Sequence, residues 1–137
     1  MPLPTSTDIA GRIEDLYGAP LADLAARAQD QPPGMLSALL GMHDDLALAE
    51  RSIDVHRGHL ARLVHRERQF GPQEVSHLLD GTRRLAEAVA VRDVQATAVA
   101  AVLQSLARVP APTPVPLAPS PPAPAPPLAA PSPVHSR

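Results

Sequence analysis

Apolar residues recur at alternating steps of four and three along two long stretches of this 137-residue chain. The first stretch reads Met35, Leu39, Met42, Leu46, Ala49, Ile53, His56, Leu60, Leu63, Glu67 and Phe70. The second reads Val75, Leu78, Thr82, Leu85, Val89, Arg92, Ala96, Val99, Leu103 and Leu106. A 4/3 alternation keeps one side of a helix facing a neighbour, so it predicts two long helices with coiled-coil-like seams. No proline interrupts residues 35–69 or 73–109, and Phe70-Gly71-Pro72 separates the two stretches. Glycine ends one helix there and proline opens the next. Each helix would be about 50 Å long at 1.5 Å per residue.

A connection this short makes the two helices antiparallel neighbours. Folding the chain back at Gly71 faces Leu63 with Leu78, His56 with Leu85, Ile53 with Val89 and Ala49 with Arg92. Further on, Leu46 faces Ala96 and Leu39 faces Leu103. Every facing pair, Leu60 with Thr82 included, has residue numbers that total 141 or 142, so one register serves the whole length. The polar seam positions are His56 and Arg92. Arg92 opposite a small alanine suggests an ion pair with Glu50 that fixes the register.

Upstream, Thr5-Ser6-Thr7-Asp8 is a capping signal ahead of Ile9, Ile13 and Leu16, which share a helical face. It predicts a short helix over about 6–17. Gly18 and Pro20 interrupt it, and a second short helix is expected over about 20–30, with Leu21, Leu24, Ala25 and Ala28 inward. Gln31-Pro32-Pro33-Gly34 stops it.

Downstream of residue 109 lie 12 of the 18 prolines, interleaved with alanine. Such a segment cannot sustain a helix or a sheet ladder, because proline lacks the N–H and fixes φ. The expectation is therefore an all-α fold. It comprises a helical domain over 1–109, with two short N-terminal helices and an antiparallel hairpin of two long helices (35–69 and 73–109). A disordered Pro/Ala-rich tail over 110–137 follows, acting as a spacer.

Apolar residues outside the seam change the picture. Leu36, Leu40 and Val102 lie at the open end of the hairpin, within reach of the short helices. Val64 and Leu79 lie at the turn end, out of their reach. A helical partner or a second copy is the natural cover there.

Charge is unevenly spread. Residues 1–50 hold 2 Arg against 8 acidic residues, and residues 51–137 hold 10 Arg against 6, so the halves carry −6 and +4. Arg62, Arg66, Arg83 and Arg84 concentrate near the turn and make a basic tip. Such a tip can meet phosphates or an acidic protein face. With one tyrosine, one phenylalanine and no tryptophan, base stacking has few carriers.

Chemistry-bearing motifs are sparse. Without cysteine there is no disulfide, thiolate nucleophile or thiolate metal site. His56 and His59 are three apart, and Glu74 and His77 form one Glu-x-x-His. Di-metal bundles need two such motifs and two further inward glutamates, so no metal is expected. No phosphate loop or catalytic-serine motif occurs. Arginine without lysine, with abundant alanine and proline, fits a bacterial, high-GC genome.

No enzymatic activity, no cofactor and no small-molecule substrate are expected. The N-terminus shows neither a basic nor an apolar leader region, and no apolar run reaches membrane-spanning length, so a cytoplasmic location is expected. The functional expectation is a non-enzymatic helical interaction module, an adaptor, scaffold or assembly factor, acting through apolar helix faces on a protein partner or on itself. Val64, Leu79, Arg62, Arg66, Arg83 and Arg84 are its candidate contact residues. The alternative is an accessory nucleic-acid-binding protein using the basic tip.

Overall fold

The computed structural model describes residues 1–65, 71–108, 123–125 and 127. Among them the chain is all-helical, with α1 (Ser6–Tyr17), α2 (Leu21–Asp30), α3 (Met35–Val64) and α4 (Pro72–Ala107). The expected tail lies almost wholly outside the described residues, as do Arg66, Glu67 and Phe70.

Local signals account for most helix ends. Thr5 is the N-cap of α1, and its side chain accepts from the Asp8 backbone N–H while Asp8 Oδ2 accepts from the Thr5 N–H at 2.9 Å. This reciprocal box satisfies two donors that the first helical turn leaves unpaired. Gly18 ends α1 at φ +67°, a left-handed conformation that glycine adopts without penalty. Pro20 serves as the N-cap of α2, so that helix starts one residue later than expected. Gly71 and Pro72 open α4 in the expected way. Helix α3 runs to Val64, with His65 as its cap, and the remainder of the expected 35–69 span lies outside the described residues.

α3 and α4 pack on one another, and α1 contacts both; α2 packs on α1 and α3 but not on α4. The core draws on all four helices. Ile9 and Ile13 of α1, Leu24 of α2, Leu39 and Leu46 of α3, and Ala96 and Val99 of α4 are fully buried, with Leu103 nearly so. Tyr17, Leu36, Met42, Val102 and Leu106 border this cluster. Full burial of Ile9, Ile13 and Leu24 contributes roughly 1.5–3 kcal/mol each and holds the short helices onto the long ones.

Two carboxylates tie these helices together. Glu50, near the middle of α3, accepts from the backbone N–H of Ser6 at 2.9 Å and from its hydroxyl. Ser6 is the first residue of α1, so the carboxylate sits where the helix dipole is positive. Glu14 Oε1 of α1 accepts from the N–H of Leu21, the first residue of α2, at 2.7 Å. Pro20 offers α2 no side-chain acceptor, and Glu14 supplies one. Each short helix thus has its N-terminus capped by an acid from another element.

Ser6 against Glu50 also fixes the reach of α1. It starts level with Glu50, and its last residue, Tyr17, lies beside Leu36 near the start of α3. The remaining 14 residues of α3, from Arg51 to Val64, extend about 21 Å beyond that cover.

Candidate functional site

Among the described residues, the two long helices have only each other beyond Glu50. Leu60 and Leu63 of α3 and Leu78 and Leu85 of α4 are half-buried. Gly81 is buried because the side chain of Leu60 lies on it: a Cβ built at Gly81 would sit 2.8 Å from Leu60 Cδ2. The expected seam residue at this height was Thr82. Thr82 is exposed, and its hydroxyl donates to the carbonyl of Leu78 at 2.8 Å. A threonine can satisfy its hydroxyl on its own helix, whereas glycine lets the facing leucine approach. The seam therefore passes through Gly81. Gly41 and Gly58 have nothing within 4 Å of a built Cβ and mark no close approach.

The expected ion pair of Arg92 with Glu50 does not form. Glu50 is taken by Ser6, and Arg92 Nε lies 3.2 Å from Oδ1 of its own neighbour Asp93. That contact brings the charges together without hydrogen-bond alignment, and Asp93 Oδ1 has no hydrogen-bond partner. An unpaired backbone donor at the start of α1 competes for Glu50 through both an N–H and a hydroxyl. This competition could not be foreseen from the hairpin register alone.

Val64 and Leu79 are 59% and 66% exposed, consistent with their place beyond the short helices. Arg62, Arg83 and Arg84 are exposed at the same end. Arg83 is engaged on its own helix, with Nε 3.0 Å from Glu87 Oε1, an exposed pair of small energetic consequence. Arg66 lies outside the described residues. His56, expected inside the seam, is half-buried and lines a groove of about 300 Å³ between α3 and α4, together with His59, Arg62, His77, Asp80 and Arg84.

The exposed apolar surface is larger than the sequence reading identified. Leu48, Val55, Val91 and Val94 are also exposed, Val94 at 70%. On α4, Val75, expected in the seam from the 4/3 rhythm, is instead exposed, and it shares an outward stripe at helical spacing with Leu79, Ala86, Ala90, Val94 and Ala101. Alanines are equally at home on a solvated helix, so the stripe has no signature in the sequence. Among the described residues α2 makes no packing contact with α4.

No helix among the described residues is long and apolar enough to cross a membrane, and no group of three His, Asp or Glu side chains converges as metal ligands. Compared with known protein families, curated proteins and solved structures, the chain has no significant match.

Proposed function

We propose that this chain is a non-enzymatic helical interaction module, an adaptor or assembly factor, that associates with a second copy of itself through the bare faces of its two long helices. One observation carries this reading: α1 reaches along the long helices only as far as Glu50, while Val64 and Leu79 beyond it, and Val91 and Val94 on the outward side of α4, stay exposed. Apolar patches left open on long helices are those that a further helix covers. The opposite charges of the two halves suit an antiparallel arrangement, with the acidic end of one copy on the basic tip of the other.

The test is absolute mass by light scattering coupled to size exclusion, at low and high salt. The expected result is a dimer that persists in high salt and reverts to monomer in the double variant Leu79→Glu, Val94→Glu. A monomer under both conditions overturns self-association.

A second reading, accessory nucleic-acid binding, rests on Arg62 and Arg84 lining one groove at the tip. It requires retention on DNA or RNA that falls steeply with salt and is lost on replacing Arg83 and Arg84 by Ala.

A further inference from the structure

The groove near the tip gathers chemistry that helix association does not use. His56, His59 and Arg62 come from one face of α3, and His77, Asp80 and Arg84 from one face of α4. Gly81 lines the groove between these two faces, with Leu60 lying against the glycine. Two guanidiniums stay charged at any accessible pH, against a single carboxylate. A cation is disfavoured there, and among the described residues no three His, Asp or Glu side chains converge on one point.

The spacing of the positive groups indicates the ligand. Leu60 and Gly81 lie at about the same height. Arg62 is two residues beyond Leu60 towards the tip, and Arg84 is three residues beyond Gly81 in the opposite direction. Five residue levels separate the two arginines, about 7.5 Å along the axis. Two guanidiniums spaced along one groove can hold more than one phosphate group, which suits a short chain of them. No tryptophan, tyrosine or phenylalanine lines the groove, so nothing is placed to stack a base.

We propose that this groove binds a phosphate-chain anion of the pyrophosphate or tripolyphosphate type, with Arg62 and Arg84 holding its two ends. His59 and His77 offer ring N–H donors to the same anion. Asp80 is the one opposing charge among the groove's lining residues, and His56 lines its inner end.

The experiment is isothermal titration of the full chain with tripolyphosphate at pH 5.5 and 7.5. Saturable binding is expected, weakened at least about tenfold in Arg62→Ala, Arg84→Ala. The paired Arg62→Lys, Arg84→Lys variant keeps the charge and loses the fork; it is expected to bind more weakly than the native chain. Circular dichroism confirms that each variant stays helical. His59→Ala, His77→Ala should bind more weakly than the native chain at the same pH. ADP matching pyrophosphate would support a site that reads phosphates alone. No saturation by about 10 mM, or binding indifferent to both arginines, overturns the proposal. An oligonucleotide that binds through these arginines while tripolyphosphate does not also overturns it, in favour of nucleic acid. None of these outcomes bears on the dimer, which is read by mass.

Discussion

Three glycines inside the long helices offer a controlled comparison, because the same substitution meets three different surroundings. Gly41 and Gly58 lie in α3 with open space where a Cβ would go. Replacing either by Ala removes the entropic handicap of glycine in a helix and stabilises by about 0.8–1 kcal/mol. Gly81 is buried, and the added methyl would stand 2.8 Å from Leu60 Cδ2, against about 3.5–4.0 Å for a comfortable carbon contact. Leu60 must retreat by close to 1 Å or rotate outward and lose its half-burial. Overpacking of this kind costs about 1–3 kcal/mol and cancels or exceeds the helix-forming gain. Gly81→Ala should therefore lie about 1–3 kcal/mol below Gly58→Ala in urea unfolding followed by circular dichroism. In a helical domain of about 100 residues, each 1 kcal/mol moves the thermal midpoint by about 4–8 °C. The Leu60→Ala background supplies the decisive control: with the leucine truncated, Gly81→Ala should recover its helix-forming benefit. Equal gains at Gly58 and Gly81, or no coupling between Gly81 and Leu60, would refute the close approach and with it the seam through Gly81.

The remaining predictions concern how the short helices are held. Glu50→Ala strips the Ser6 N–H and hydroxyl of their acceptor and should cost about 1–2 kcal/mol. A double-mutant cycle should show coupling of Glu50 with Ser6→Ala and none with Arg92→Ala, the reverse of what a seam ion pair would give. Ile13→Ala empties a fully buried position where α1 meets the core and should cost about 2–4 kcal/mol by denaturant unfolding. The carboxyl of Asp8 is held below its ordinary value of 3.8, first by the Thr5 backbone N–H and then by the Thr5 hydroxyl. A lowered folded value means that this cap stabilises above the ordinary value and is lost as pH falls through the folded one. The stability gap between the native chain and Asp8→Asn should thus be constant above about pH 5 and close below pH 3.8. A gap unchanged at pH 2.5 would count against the capping box.

Periodicity and local caps were enough to make this chain all-helical and to set most of its helix ends. The 4/3 rhythm of Leu39, Leu46, Ile53, Ala96, Val99 and Leu103 is a property of the chain, and every one of these residues is buried. Thr5 with Asp8, Gly18, and Gly71 with Pro72 act within a few residues of themselves, so the sequence alone was sufficient for them. What it could not determine were choices among competing partners far apart in the chain. Glu50 had an arginine available on the facing helix and an open helix N-terminus 44 residues away, and packing of α1 delivered it to the latter. Thr82 and Gly81 are adjacent, and a small rotation of α4 decided which faces Leu60. Sequence placed His56 in the seam, but only the packed pair of helices set it beside His59, His77 and two arginines in one groove. The exposed stripe on α4 shows only in the packed structure, because alanine reads alike on a buried and a solvated helix until a neighbour does or does not arrive.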